Sequence, residues 1–264
     1  MLHSSAAGSK IRKEYFPLND RTNCLFLANE KHVIKDEGKN DKILKSIPWQ
    51  QPGRFDERLR RINKNVWNDV KMYKQFEQFL KERTSLDNQS LQDIASCFRR
   101  IETRRNEILC SVGQICRNFY FINKGCLRLY EIDSKGNEVT AYFAFEDSIF
   151  TALPSFITQK PSRDFLVSHE PSDLLVISRE GFFELIGHFP QFEAIYHKFM
   201  EFAFIHSQMR IYSFLGMEGI DKLKWVMEHE PQLLSRISSK TVASYLGMTN
   251  STLSKLKAKL KMLS

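Results

Sequence analysis

The spacing of apolar residues changes along the chain, and each change predicts a different kind of element. In WNDVKMYKQFEQFLKE, which begins at Trp67, apolar residues recur every three or four positions, as on one face of a helix. LDNQSLQDIASCF predicts a second helix. From residue 101 to about 178 the period becomes two, and FYFINKGCLRLYEIDSKGNEVTAYFAF contains the turn sequence SKGN. Short strands without intervening helices predict an antiparallel sandwich or roll.

A helical period returns after Pro190 and continues to Gly216. The sequence QFEAIYHKFMEFAFIHSQMRIYSFL alternates spacings of three and four, as in a coiled-coil seam. We expect part of this aromatic-rich helix to pack on the roll and the rest to pair with a second copy, which would make a two-fold dimer. The predicted dimer seam consists of Phe192, Ile195, Phe199, Phe202, His206 and Met209.

Residues 1–70 show neither period, and polar runs such as KDEGKNDK interrupt their scattered apolar residues. This pattern predicts a poorly ordered N-terminal extension. The sequence contains no run of about 18 apolar residues, so we expect no transmembrane helix. The N-terminal sequence MLHSSAAGSKIRKEYF also lacks the apolar core of a secretory signal, which favours a cytoplasmic location.

Charge is distributed unevenly, and the distribution is more informative than the net charge of +8. Residues 76–231 carry 17 basic and 22 acidic side chains, whereas residues 232–264 carry six basic side chains and no acidic one. An acidic body with a basic C-terminal segment indicates a polyanionic partner at that end. A solvated lysine face is the alternative interpretation of the charge alone.

The C-terminal sequence SKTVASYLGMTNSTLSKLKAKL fits a helix-turn-helix with Gly247 as the turn residue. Such a motif needs apolar or small residues at fixed positions before and after the glycine, where its two helices cross. Those positions hold Val242, Ala243, Leu246, Met248, Leu253 and Leu256. Glycine tolerates the left-handed backbone of the turn, and Thr249 is a natural N-cap for the second helix.

The second helix of this motif would place its first turns in the major groove of DNA. By side-chain chemistry, Asn250 can read adenine, Lys255 can read guanine, and Ser251 can read either. The residues expected to hold phosphates are Ser239, Lys240, Thr249, Ser254, Lys257 and Lys259. A helical hairpin that serves only for packing is the alternative.

Over residues 75–264 the chain resembles the Crp/Fnr superfamily of bacterial transcription regulators, most closely a branch of small regulators common in Bacteroidetes-like bacteria. FYFINKGCLRLYEIDSKGNEVTAYF is similar to that family's strand pair and hairpin, and PSDLLVISREGFFELI to its last strand and following helix. LLSRISSKTVASYLGMTNSTLSKLKAKL is similar to its DNA-binding motif. The resemblance places Asn250, Ser251 and Lys255 where the family reads bases.

The resemblance implies an α+β fold with an antiparallel β-roll of the jelly-roll, cyclic-nucleotide-binding-like type. The expected organisation is an extension (1–70), the roll (71–188), a dimerisation helix (189–216) and a helix-turn-helix domain (217–264). The expected function is sequence-specific transcription regulation by a homodimer. The expected partners are palindromic double-stranded DNA, a second copy of the chain and RNA polymerase.

The phosphate cradle of this family requires a Gly-Glu pair and an arginine followed by a small hydroxyl residue. The corresponding stretch EDSIFTALPSF contains no glycine, and in PSRDFL a carboxylate, Asp164, follows Arg163 and would repel a phosphate. We therefore expect no cofactor and no binding of cyclic AMP or cyclic GMP. The candidate residues for another effector are Glu146, Asp147, Ser162 and Arg163.

Two other classes of function compete with this interpretation. A metal-dependent enzyme built on the roll would need a His-x-His pair with a carboxylate and a third histidine. Only His169 lies within the predicted strands and no His-x-His occurs, so we expect neither an enzyme nor a metal site. The remaining alternative is a degenerate roll that acts as an interaction module, whose basic tail binds nucleic acid non-specifically or binds a protein partner.

Overall fold

The computed structural model describes residues 70–262, in which helices flank two antiparallel sheets. The prediction of a poorly ordered extension over residues 1–70 falls outside the described residues, apart from the last position. The helices are α1 (Val70–Lys81), α2 (Asn88–Ser96), α3 (Leu153–Thr158), α4 (Arg179–His188), α5 (Pro190–Gly216), α6 (Gly219–His229), α7 (Pro231–Arg236), α8 (Ser239–Tyr245) and α9 (Asn250–Lys261). The strands are β1 (Arg99–Thr103), β2 (Glu107–Cys110), β3 (Asn118–Lys124), β4 (Leu127–Ile132), β5 (Glu138–Ala144), β6 (Ser148–Phe150), β7 (Phe165–Ser168) and β8 (Ser172–Ser178).

The two sheets have the strand orders β1-β8-β3-β6 and β2-β7-β4-β5. Strand β3 pairs with β8 and β6, and its residues 119–123 are all buried because α1 and α4 lie against it in addition to the second sheet. This double burial explains why the sequence FYFIN is almost continuously apolar. The predicted antiparallel roll in an α+β fold is confirmed.

The hairpin between β4 and β5 forms at the predicted turn sequence. The Asp133 carboxylate accepts hydrogen bonds from the backbone N–H groups of Lys135 and Asn137, both at 2.8 Å. Gly136 adopts a φ of +80°, which a side chain would strain. The turn therefore fixes the register of the edge strand β5, to which the C-terminal helices attach.

An aromatic core joins the roll to the helices that follow it. Phe119 of β3 is fully buried, with its ring centroid 4.4 Å from Phe182 of α4 and 5.1 Å from Phe199 of α5. Phe156 of α3 lies 5.3 Å from the same ring. The first half of α5 is consequently part of the core of the roll rather than a free-standing helix.

This packing corrects the predicted dimer seam. Phe192, Ile195 and Phe199 are buried in the core of their own chain, because the roll covers that face of α5. His206 and Met209 also face inward, beside Trp225 of α6, and Phe202 is 46% exposed. The opposite face of α5 carries a different set of exposed apolar side chains, here called the outer stripe: Phe204, Ile205, Ile211, Tyr212 and Leu215.

The cysteines of the roll are buried thiols. Burial raises the pKa of Cys110 to about 12 and also raises the pKa of Cys126, so little of either thiol is ionised near neutral pH. This environment favours packing over redox reactivity for these two residues. Within residues 70–262, no helix is long and apolar enough to cross a membrane.

Candidate nucleic-acid interface

Helices α8 and α9 are joined by a turn at Gly247, the position that the sequence pattern indicated. Gly247 has a φ of +65°, and its backbone N–H donates to the carbonyl oxygen of Ser244 at 3.1 Å. Thr249 is the N-cap of α9 as expected, because its hydroxyl accepts from the Thr252 N–H at 3.1 Å. At α8 the cap is Ser238, and Ser239 is the first helical residue.

The apolar positions of the motif are buried together. Val242 and Leu253 are fully buried and Ala243 is 1% exposed, so the two helices cross at close range. The same cluster contains Leu223 and Val226 of α6, which lie under the crossing. These four helices, α6 to α9 (residues 219–261), form a small helical unit, here called the DNA-binding unit after the role that the sequence predicts for it.

The predicted base-reading residues all lie on the outer surface of α9. Asn250, Ser251 and Lys255 are exposed, and the first turn of the helix contains no acidic residue. Because the helix macrodipole adds partial positive charge at this end, a phosphate backbone would be attracted to it. The predicted phosphate-contacting residues are also exposed, except Lys257, which is half-buried: Ser239, Lys240, Thr249, Ser254 and Lys259.

Two of the predicted effector residues, Glu146 and Asp147, have different partners in the structure. The Glu146 carboxylate accepts two hydrogen bonds from the Arg236 guanidinium and one from the Gly125 N–H. Asp147 accepts from the Gln75 side chain at 2.8 Å instead. Glu146 is therefore occupied by an arginine of the DNA-binding unit, and this contact corrects its assignment as a residue available to an effector.

The α3 region contains the stretch that the sequence analysis compared with a cyclic nucleotide phosphate cradle. Ser155 of α3 donates to the Lys160 carbonyl and accepts from the Cys116 N–H, so its hydroxyl is used within the loop. Ser162 is buried and bonds to the backbone of Asp164. Arg163 is exposed, and the carboxylate of Asp164 is next to it in the sequence. The described side chains of this loop supply no inward-facing cation for a phosphate.

A histidine and a glutamate are partly buried where α5 meets the DNA-binding unit. His206 Nε2 lies 3.7 Å from Glu230 Oε1, and the Tyr245 hydroxyl donates to the same oxygen at 3.4 Å. Burial lowers the pKa of His206 to about 4, and the nearby positive charge of Arg210 acts in the same direction. Burial raises the pKa of Glu230 to about 7. Both side chains therefore prefer their neutral forms.

These two shifts have opposite effects on stability. Glu230 binds its proton more tightly in the folded state than in the unfolded state. The stabilisation of the fold that results is present below pH 4.5 and is lost as pH rises towards 7. His206 binds its proton less tightly when folded, so its contribution is present above pH 6.5 and is lost as pH falls towards 4. Between pH 4.5 and 6.5 the two side chains change the free energy of unfolding with pH in opposite directions, so these changes cancel.

Glu230→Gln removes the pH dependence of the free energy of unfolding that comes from this carboxyl group. Relative to the unsubstituted chain, its free energy of unfolding is expected to increase by up to about 1.4 kcal/mol per pH unit between pH 4.5 and 7. Urea denaturation at a series of pH values measures the difference. Glu228→Gln, at an exposed position in the last turn of α6, is the control for the loss of one carboxylate. A flat difference for Glu230→Gln would contradict the burial argument.

Comparison with known proteins supports the architecture. Residues 100–189 match the family model described as "Cyclic nucleotide-binding domain". FixK2 from Bradyrhizobium japonicum has a similar fold, with a TM-score of 0.55 at 14% identity over 63% of this chain and 85% of that chain. CLP, a c-di-GMP responsive global regulator from Xanthomonas campestris, gives 0.54 at 13% identity over 67% of this chain and 92% of that chain.

A third similar structure is a putative transcriptional regulator of the Crp/Fnr family from Eubacterium rectale. Its TM-score is 0.53 at 15% identity, over 67% of this chain and 84% of that chain. No curated protein matches the chain in sequence. The predicted resemblance to Crp/Fnr regulators is thus confirmed for the roll and for the fold, whereas the Bacteroidetes-type branch stays a prediction.

Proposed function

We propose that the protein is a sequence-specific DNA-binding transcription regulator that acts as a homodimer. The observation that carries this proposal is the capped α9 helix, which exposes Asn250, Ser251 and Lys255 on a surface without acidic residues. The similarity in fold to regulators supports the same class of function. The protein would act in the cytoplasm, with RNA polymerase as a further partner.

In this proposal α9 lies in the major groove, and its first turns read the bases. Asn250 would form a bidentate contact with adenine, Lys255 would contact guanine O6 and N7, and Ser251 would contact either base. The phosphate contacts would fix the orientation of α9 on the duplex without reading sequence. These contacts are assigned to Ser239, Lys240, Thr249, Ser254, Lys257 and Lys259.

The outer stripe of α5 is the surface that we assign to the homodimer. Its residues are spaced so that they form one line along the helix, and Leu215 is 79% exposed and Phe204 66% exposed. A two-fold axis along this line would bring two such stripes together and place two α9 helices on one side of the DNA. The operator would then be a palindrome with half-sites about 34–36 Å apart.

Ile205→Asp is expected to convert the dimer to a monomer, because it would place two carboxylates in an apolar interface. Analytical ultracentrifugation over a range of protein concentrations measures the change. Ile132→Asp is the matched control, since Ile132 is 53% exposed on the roll hairpin and Ile205 is 48% exposed on the outer stripe. Equal sedimentation of both variants and the unsubstituted protein would contradict the assignment.

The roll would serve as a support for α5 and the DNA-binding unit rather than as a cyclic nucleotide sensor. The α3 loop argues for this role, because Ser155 and Ser162 are bonded within the loop and Arg163 is exposed. We infer that neither cyclic AMP nor cyclic GMP binds there and that the protein has no resident cofactor.

The proposed function is tested by the affinity for the genomic fragment that the purified protein binds best. Asn250→Ala/Lys255→Ala is expected to lose about 30- to 20,000-fold in affinity, since each of the two base contacts is worth roughly 1–3 kcal/mol. Lys135→Ala, on the exposed roll hairpin, is the control and should bind as the unsubstituted protein does. Undiminished binding by the double variant would favour a non-specific basic tail on an interaction module instead.

A further inference from the structure

The DNA-binding unit is attached to the exposed edge of the roll. Strand β5 is the last strand of its sheet, and α8 packs against it. The Ser244 hydroxyl of α8 accepts from the Thr140 N–H at 2.9 Å and donates to the Glu138 carbonyl at 2.6 Å. One serine thus satisfies two backbone groups that an edge strand would otherwise leave to solvent.

Arg236, at the end of α7, joins the DNA-binding unit to two carboxylates of the roll. Its guanidinium donates to both oxygens of Glu146, at 2.7 and 2.9 Å, and also to Glu170. The hydrogen bonds to Glu146 raise the pKa of Arg236. Burial alone would raise the pKa of Glu146, but the Arg236 contacts hold it below its usual value. We call these three side chains the Arg236 clamp.

Apolar contacts and a third polar contact continue the same interface. Phe143 and Cys126 of the roll belong to the buried cluster of the DNA-binding unit, and the Phe143 ring lies 5.7 Å from the Tyr245 ring. Arg210 of α5 donates to the carbonyl oxygens of both Tyr245 and Thr140. Separating the roll from the DNA-binding unit would therefore expose apolar side chains and break several charge-assisted hydrogen bonds.

The residues that would read DNA lie outside these contacts. Strand β5 is bonded by Ser244 of α8 and Arg210 of α5, whereas Asn250, Ser251 and Lys255 of α9 remain exposed. The docked arrangement therefore leaves the predicted base-reading residues accessible, and the contacts described above hold it together.

We propose that the docked arrangement is the DNA-binding form, and that the Arg236 clamp maintains it without an effector. The inference rests on the proposed function, because it concerns how the same DNA-binding unit is controlled. It replaces the expectation of an effector at Glu146 with an internal partner for that carboxylate. Affinity for the operator would then be an intrinsic property of the protein.

A disulfide across the interface tests the proposal directly. The hydroxyl oxygens of Thr140 and Ser244 lie 3.3 Å apart, so cysteines at both positions can approach to bonding distance. Thr140→Cys/Ser244→Cys would be oxidised, verified by mass spectrometry, and titrated with the operator before and after addition of dithiothreitol. The single-cysteine variants, treated identically, are the controls. Oxidised and reduced protein should bind the operator with affinities that agree within about threefold.

Loss of binding on oxidation that dithiothreitol restores would overturn the proposal, since the docked form would then be the inactive one. If the unsubstituted protein bound no DNA, the proposed function itself would be contradicted. That result differs from one in which only the oxidised double-cysteine variant fails to bind.

The clamp itself is tested by Arg236→Gln, which does not depend on formation of the disulfide. This variant should show faster hydrogen exchange in α8 and β5 and about tenfold weaker operator binding, and Arg236→Lys should recover part of both. Tighter operator binding by Arg236→Gln would overturn the proposal.

Discussion

Replacing Gly125 by alanine is expected to destabilise the protein by about 3 kcal/mol or more. Gly125 connects β3 to β4 with a φ of +107°, a conformation that costs a non-glycine residue about 1–3 kcal/mol. A Cβ atom at this position would also lie 2.2 Å from Ser172 Oγ and 2.7 Å from Ser172 Cα, so the β8 backbone would have to move. The backbone strain and the steric overlap therefore both contribute to the loss of stability.

Equilibrium urea denaturation of Gly125→Ala measures this loss, at one protein concentration because the stability of the proposed dimer would depend on it. Gly187→Ala is the matched control: its backbone is ordinary and no atom lies within 4 Å of the added methyl group. That control is expected to be neutral or up to about 1 kcal/mol more stable. Equal stabilities for the two variants would show that the β8 backbone near Ser172 can move at little cost, which would contradict this prediction.

Phe119→Ala is expected to reduce the free energy of unfolding by about 3–5 kcal/mol. Phe119 is fully buried, and its ring contacts aromatic rings of α3, α4 and α5 at once, so its removal leaves a cavity where four elements meet. Denaturation by urea again measures the loss. Phe119→Leu should cost less, because it retains most of the apolar volume. A loss below about 1 kcal/mol for the alanine variant would contradict the assignment of this ring to the centre of the core.

The sequence predicted the elements that depend on local spacing. The alternation in residues 118–144 and the turn at Gly136 identified the hairpin, because both follow from backbone geometry within a few residues. The position of Gly247 relative to Val242 and Leu253 identified the turn between α8 and α9 for the same reason. The cap Ser238 was missed, since Ser239 next to it offers the same hydroxyl and only the backbone angles distinguish them.

Contacts between distant elements could not be predicted in this way. Periodicity showed that α5 has an apolar face, but α5 is apolar on both faces, and only the roll determines that Phe199 is inside and Phe204 outside. The Arg236 clamp joins residues 90 positions apart, and neither Arg236 nor Glu146 belongs to a repeating pattern. A single charged residue carries no signal of its partner until the fold brings the two together.

The central claim, a sequence-specific dimer that reads DNA through α9, is tested most directly by selection from a pool of randomised duplexes with the purified full chain. The account predicts enrichment of one palindromic motif, with half-sites about one helical turn apart, and loss of that motif for Asn250→Ala/Lys255→Ala. Enrichment of no motif, with equal binding by the double variant, would contradict the account and leave the basic surface of α9 as a non-specific electrostatic patch.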